Sequence, residues 1–315
     1  MKKTILLLMA LAGAMAWTGC MKIEEELQEE KTEETAQEAA QGAPTYTLTI
    51  QAERDGGAQT KGLAIDGEEA STTLLQSVWK AGEEVKVYQE GSYIGTLIAT
   101  PDGENAHLAT LSGEINTSDI TANSTTLTLL TPRGILDYTG QVGTLLLSDD
   151  ATDSIEKKYH YTMATDVLVT GVSDFHVTTE NARFTNQQSI YRLSFRYNDG
   201  VSKTPITTKS VTISSANGHL VQSQTVGGAA TEGDISVTLG TATTDPFFVA
   251  LRNGNETNAE VLTFTVVDDN GITYRGTKTI PAEYKPNGTF VSIKNASLTE
   301  RLALTLSTTE VSTVL

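Results

Sequence analysis

The chain has 315 residues, with 39 acidic against 22 basic side chains and a formal net charge of −17 at pH 7. This charge argues against nucleic acid and anionic membrane surfaces as partners, because both require clustered positive charge. The single cysteine excludes an internal disulfide, and the abundance of Thr, Ser, Gly and Val favours short strands and turns over helices.

Residues 1–19 are interpreted as a lipoprotein signal peptide. Lys2 and Lys3 precede an apolar run from Ile5 to Ala16, which is shorter than the roughly 20 residues that span a bilayer. The following Trp17-Thr18-Gly19-Cys20 resembles a lipobox, with Trp where Leu is usual. An unpaired thiol is otherwise unusual in an oxidising compartment, so Cys20 is the predicted lipidation site. The alternative is an ordinary signal peptide with an incidental cysteine.

Residues 20–44 predict an anchor and a spacer. After Cys20, residues 21–44 hold eight Glu and two Lys with almost no large apolar side chain, which is typical of a solvated segment. Acidic residues directly after the lipidated cysteine resemble an export signal of surface-exposed lipoproteins. We therefore expect the protein in the outer membrane, facing outward and held by its lipid.

The first strand is predicted from Thr45 to Glu53, where polar and apolar residues alternate. One face carries Tyr46, Leu48, Ile50 and Ala52. A Gly-rich loop follows at 54–66. Further strands are predicted at 74–79, 85–89, 93–99, 106–111, 125–130, 143–148, 159–170 and 175–184, with a hairpin turn at 101–103.

The second half shows the same pattern of short strands. Clear strands are predicted at 210–214, 235–239, 247–251, 261–267, 272–280 and 290–293, while 190–197 could be a strand or a short helix. The Asn270-Gly271 pair predicts a hairpin turn, because it suits positive φ. Strands at this spacing without helical patterns predict an all-β fold of two β-sandwich domains, at 45–184 and 185–298.

Residues 299–315 form a predicted strand-like tail. Leu302, Leu304 and Leu306 alternate, and Val311 and Leu315 continue with shifted parity, which indicates a bulge or turn between them. An exposed apolar strand tends to aggregate unless it is paired. It pairs either with its own domain or with another subunit.

No catalytic, metal or cofactor site is predicted. The histidines at 107, 160, 176 and 219 have no partner at a recognised spacing, and His160 is expected to be a strand residue. Acylation of Cys20 removes the only thiol nucleophile. No calcium or phosphate loop is recognised. Carboxylates from distant strands can still meet in an enzyme, so this prediction rests on motifs alone.

One short motif points to modification instead. Asp153-Ser154-Ile155 resembles an Asp-Ser/Thr-apolar O-glycosylation site, which makes Ser154 a candidate. The alternative is an unmodified polar loop.

Several longer motifs follow the spacer and first strand in a fixed order. They are VWKAGEEVKVY at 78–88, YHYTMATDVLVTG at 159–171, FTNQQSIYRLSFR at 184–196 and EYKPNGTFVSIKNASL at 283–298. Together they resemble the fimbrillin-like proteins, the pilin superfamily that includes type V pilins, over nearly the whole chain. The resemblance implies two transthyretin-like β-sandwich domains in tandem.

The resemblance also implies assembly by donor-strand exchange. A trypsin-like protease cuts the surface lipoprotein after the first strand, that strand leaves, and a segment of another subunit fills the groove. Carried over, the cut follows Lys61 or Arg54. The leaving strand carries the face from Tyr46 to Ala52 described above, and the tail from Leu302 to Leu315 is the donor.

The resulting hypothesis is a fimbrial subunit, or an accessory or anchor subunit, that acts in adhesion or biofilm formation. Its expected partners are other fimbrial subunits, the outer membrane and a host or bacterial surface ligand, and processing could release it into fimbriae. The alternative is a glycan-binding lipoprotein of a nutrient-uptake system, which would need exposed aromatic side chains. Trp79 lies in a strand expected to be buried, but ten tyrosines keep this alternative open. A secreted hydrolase is the third alternative.

Overall fold

The computed structural model describes residues 42–54, 63–65, 72–103, 106–148, 151–254, 259–280 and 287–302. From Ala43 onward the described chain forms one compact unit. It is an all-β protein, as the strand pattern predicts, with a single short helix in the described ranges. No helix within those ranges is long and apolar enough to cross a bilayer.

Eleven strands and the helix lie before residue 187. They are β1 (Thr45–Arg54), β2 (Leu63–Ile65), β3 (Thr72–Ser77), β4 (Glu84–Gln89), β5 (Ser92–Pro101), β6 (Leu108–Asn116), β7 (Thr126–Thr131), β8 (Ile135–Asp137), α1 (Ile155–Tyr159), β9 (Thr162–Ser173), β10 (His176–Thr179) and β11 (Ala182–Asn186).

Eleven more strands follow. They are β12 (Ser189–Asn198), β13 (Lys203–Pro205), β14 (Thr208–Ser215), β15 (Leu220–Thr225), β16 (Thr231–Glu232), β17 (Ile235–Thr243), β18 (Phe247–Asn253), β19 (Glu260–Asp268), β20 (Thr273–Ile280), β21 (Thr289–Leu298) and β22 (Glu300–Leu302).

The first sheet closes on itself through β1. Its strand order is β10-β1-β11-β9-β7-β4-β5-β6, and β6 pairs back onto β1. The sequence predicts a β-sandwich for this half of the chain. In the structure, hydrogen bonds between β6 and β1 join the edges of the sheet into a ring. We call this closed sheet the ring.

The ring encloses its own hydrophobic core. Alternate residues of every ring strand contribute to it, including Leu48, Val87, Leu111, Leu129 and Val169. Each of these side chains is fully buried. The period-two alternation of these strands therefore corresponds to inside and outside of the ring.

The second half is a sandwich of two sheets. One runs β16-β15-β18-β12-β21-β3-β2, with β13 on β12 and β8 on β15, and the other runs β17-β14-β19-β20-β22. Their inner faces meet at aromatic side chains, and the rings of Phe195 and Phe264 lie 5.4 Å apart. A second hydrophobic core fills the space between the sheets.

Segments from the first half of the sequence also take part in the second-half sandwich. Strands β2, β3 and β8 come from the first half of the sequence but pair in the second-half sheets. Leu63, Tyr138 and Tyr161 likewise belong to the second core. The predicted division at residue 184 stays a prediction, although the junction from Asn186 to Ser189 is buried rather than an exposed linker.

Several predicted element boundaries are wrong. Residues 143–148 form no strand, since Gly143 adopts φ 60° and Leu145 is exposed. The predicted strand at 159–170 begins as α1, and the one at 175–184 divides into β10 and β11. His160 lies between α1 and β9 and is not a strand residue. The ambiguous segment at 190–197 is the strand β12.

Candidate functional site at strand β1

Strand β1 closes the ring because it pairs with other strands on both of its sides. On one side it pairs antiparallel with β6 over nine residues, from Thr45 to Glu53. On the other side, Thr47 to Thr49 pair in parallel with β10, and Ala52 to Arg54 pair in parallel with β11. Removing β1 would therefore open two hydrogen-bonding edges and the core beneath them.

The inward face of β1 is the one predicted from the sequence. Leu48, Ile50 and Ala52 are 0%, 1% and 3% exposed, whereas Tyr46 is half-buried against Phe175. Burying a large aliphatic side chain stabilises a fold by about 1.5–3 kcal/mol. Leu48 and Ile50 thus hold β1 in place strongly, and they leave a groove of matching depth if β1 departs.

Arg54 is the last inward-facing residue of β1, and its guanidinium is buried. Its side chain is 3% exposed and forms a two-pronged ion pair with the carboxylate of Glu83. Nη1 also donates to the carbonyl oxygen of Val78 at 2.9 Å. The guanidinium carbon lies 3.8 Å from the ring centroid of Trp79, a cation–π contact. We call this surrounding the arginine socket: Val78, Trp79, Glu83 and Thr131.

Glu83 is fixed in the socket by further donors. The hydroxyl of Thr131 donates to Oε1 at 2.8 Å, and the backbone N–H of Lys80 donates to Oε2 at 3.3 Å. Burial alone would raise the pKa of this carboxyl group, but the charge of Arg54 and these hydrogen bonds outweigh it and lower the pKa. The carboxylate therefore stays ionised while Arg54 is present.

The wall of the socket is aromatic. Trp79 is 2% exposed and packs edge-on against Phe184, with ring centroids 4.9 Å apart. Phe184 is the residue of β11 that stands opposite Arg54 in the register. Ring closure, the aromatic wall and the ion pair therefore meet at one corner of the ring.

His160 lies buried close to this corner. It is 6% exposed, and its Nε2 lies 2.8 Å from Oδ1 of Asn186. Since an amide oxygen only accepts, Nε2 carries the proton in the neutral ring. Burial lowers the pKa of His160 to about 4, and the positive charge of Arg54 adds to this effect.

This histidine predicts an acid-sensitive fold. Its folded pKa of about 4 lies below the ordinary value of 6.5, so only the unfolded chain binds the proton between these values. The contribution of His160 to the free energy of unfolding is complete above pH 6.5. It falls by up to about 3 kcal/mol as the pH drops towards 4. Urea unfolding at stepped pH measures the loss.

The variant His160→Gln provides the control, because its amide can still donate to Asn186. We expect a flatter stability profile between pH 6.5 and 4 for this variant. Glu83 adds its own loss only below its ordinary value of 4.5, since its folded pKa is lowered. Identical slopes for the two proteins above pH 4.5 would contradict the role of His160.

The structure separates the two predicted cleavage residues. Arg54 is buried and paired, so a protease cannot take its side chain without opening the end of β1. Lys61 lies outside the described residues, between β1 and β2. The lipidation residue Cys20 also lies outside them.

The predicted donor tail is described only at its start. Leu302 lies in β22, which pairs antiparallel with β20 of its own sheet, and its side chain is 47% exposed. Leu304, Leu306, Val311 and Leu315 lie outside the described residues.

The structure argues against Ser154 as a glycosylation site. Its side chain is fully buried, and its Oγ caps α1 by accepting from the backbone N–H of Lys157 at 3.1 Å. A sugar at this oxygen would have no room in the folded protein and would compete with the cap. The three-residue motif showed neither the helix nor its burial.

The socket itself was missed by sequence reasoning. Trp79 and Glu83 belong to one segment and Thr131 to another, both far from Arg54 in the sequence, and the alternation of β1 only indicates that position 54 faces inward. A basic residue ending an otherwise apolar inward row was the available signal.

In the described ranges, no group of three or more His, Cys, Asp or Glu residues is arranged to hold a metal ion.

Comparison with known proteins gives structural neighbours only. A "putative cell adhesion protein" from Bacteroides fragilis is 12% identical, with 80% of this chain and 97% of that chain covered at a TM-score of 0.35. Another, from Bacteroides uniformis, is 15% identical, with 80% and 95% covered at a TM-score of 0.34. No family model and no curated protein matches the chain. Scores this low carry no argument about function.

Proposed function

We propose that this chain is a surface-exposed, fimbrillin-like lipoprotein in which β1 is an exchangeable strand. In this proposal it is a fimbrial subunit, or an accessory or anchor subunit, that acts in adhesion or biofilm formation and catalyses no reaction. The observation that carries the proposal is the closure of the ring: β1 joins β6 to β10 and β11, so a single strand covers the whole groove.

The connection after β1 supports the same proposal. β1 belongs to the ring, whereas β2 pairs with β3 in a second-half sheet. Leu63 of β2 is fully buried in the second core. A cut within 55–62 would therefore separate β1 from the rest of the chain, while β2 stays paired with β3.

Limited digestion tests where that cut falls. Apart from cuts after Lys22 and Lys31 in the spacer, we expect a trypsin-like protease to cut the folded protein first after Lys61, which gives a new N-terminus at Gly62. Arg54 should be spared because its guanidinium is held by Glu83 and Trp79. N-terminal sequencing of the first product identifies the site.

The matched control is Lys61→Gln, which should abolish this first cut while leaving the fold unchanged. The variant Glu83→Gln keeps the cut after Lys61 and should in addition make Arg54 available, with a second new terminus at Asp55. A first cut after Arg54 in the wild-type protein would contradict the protection that the socket provides.

A glycan-binding lipoprotein remains the second candidate, on one observation. Phe175 is 66% exposed and packs against Tyr46 with ring centroids 6.0 Å apart. Exposed aromatic faces stack on sugar rings. Trp79 is buried and cannot serve this purpose. Glycan-array binding that is lost in Phe175→Ala would favour this candidate, and an empty array for the wild-type protein would remove it.

A further inference from the structure

We propose that the arginine socket selects the strand that replaces β1, and that this strand carries arginine at the position of Arg54. The inference rests on the proposed exchange of β1 and names the partner: a segment of a different subunit with a defined inward row. Two features of the ring carry it, the socket and a narrow layer beside it.

The socket is built for a guanidinium. It offers both carboxylate oxygens of Glu83, the carbonyl oxygen of Val78 and the face of Trp79. Arginine can satisfy all of them at once, because its planar fork pairs with a carboxylate and stacks on an aromatic ring. A neutral residue would leave the carboxylate half-buried with only Thr131 and a backbone N–H as donors.

The layer next to the socket admits only a small side chain. Ala52 of β1 stands opposite Ala109 of β6 on one side and Ala182 of β11 on the other. All three alanines are at most 3% exposed. A larger residue at position 52 would overfill this row, which costs stability in a packed core.

The four inward positions therefore define a sequence pattern. Leu48 and Ile50 require large aliphatic residues, position 52 requires alanine and position 54 requires arginine. Alternate side chains specify the partner, while backbone hydrogen bonds to β6, β10 and β11 supply affinity that depends little on sequence. The expected partner reads aliphatic-x-aliphatic-x-Ala-x-Arg.

The apolar tail of this chain does not fit that pattern. If Leu302, Leu304 and Leu306 take the three apolar positions in chain order, Thr308 falls at the socket and leucine at the alanine layer. In the reverse order Glu300 falls at the socket, opposite a carboxylate. A second copy of this chain is therefore a poor donor in either direction, and the partner is a different subunit.

Peptide exchange into the cut protein tests the proposal. The full mature chain is cut after Lys61 and incubated with a labelled peptide of residues 45–54, and incorporation is followed by native mass spectrometry. Parallel peptides carry Arg54→Gln, Ala52→Leu or Glu53→Gln, the last being an exposed neighbour as control. A further peptide spans residues 300–308.

We expect the wild-type and Glu53→Gln peptides to enter equally well. The Arg54→Gln peptide should enter at least about 30-fold more weakly, because removing one partner of a buried charge pair costs binding on this scale. The Ala52→Leu and tail peptides should also enter poorly. In cut protein carrying Glu83→Gln, the preference for arginine should shrink to about threefold or less.

The outcomes separate this inference from the proposed function. Equal entry of the wild-type and Arg54→Gln peptides, or efficient entry of the tail peptide, would overturn the socket as a selector while leaving strand exchange intact. If no peptide enters, including the wild-type one, exchange of β1 is itself wrong and the inference falls with it.

Discussion

Arg54→Met is expected to lower the free energy of unfolding by about 3–5 kcal/mol, because it leaves the carboxylate of Glu83 without its cation. Methionine keeps an apolar stem of similar length, so the loss reports the charge pair and the contact with Trp79 rather than an empty volume. Urea unfolding followed by tryptophan fluorescence measures it, since Trp79 lies in the socket.

Two companion variants make this result interpretable. Gln51→Met places the same side chain on the exposed face of β1 and should change stability by no more than about 0.5 kcal/mol. The double variant Arg54→Met with Glu83→Leu should recover most of the loss, because an apolar pair can replace a buried ion pair at little cost. A single-variant loss below about 1 kcal/mol would show that the pair is not stabilising.

Gly113→Ala should be about as damaging, with an expected loss of about 3 kcal/mol. Gly113 lies on β6 opposite Leu48 of β1. A Cβ there would collide with the carbonyl oxygen of Thr96 and lie 3.1 Å from the Cα of Leu97, both on β5. These are backbone atoms, so relief requires separating two paired strands of the ring.

Gly103→Ala is the matched control for this substitution. Gly103 lies in the turn after β5, from which Asp102 separates it, and an added Cβ there would meet nothing within 4 Å. Thermal unfolding should therefore show a large drop in Tm for Gly113→Ala and almost none for Gly103→Ala. Similar values for the two variants would show that β5 and β6 can move apart freely.

Local patterns predicted the elements better than their connections. The alternation at 45–53 identified β1 and its inward face, because burial on one side of a strand imposes period two. The Asn270-Gly271 turn correctly joined β19 to β20, with Gly271 at φ 79°. In contrast, Leu145 and Leu146 looked like strand residues, yet both are exposed in a segment without a strand.

Pairing between distant segments could not be predicted in the same way. Nothing local indicates that β2 and β3 join the second-half sheet, or that β6 returns to β1 and closes the ring. The socket has the same origin, since Arg54 meets Glu83 across 29 positions of sequence. Such long-range contacts depend on the packing of the whole fold, so no local pattern of a single sequence predicts them.

The measurement that tests the central claim most directly is strand exchange in the cut protein. Mature protein, cut after Lys61 or left intact, is incubated with excess isotope-labelled peptide of residues 45–54, and the native mass is followed over time. We predict that the cut protein replaces its own β1 with the labelled strand, whereas the intact protein takes up none. A cut protein that stays folded and keeps its original strand indefinitely would contradict the account.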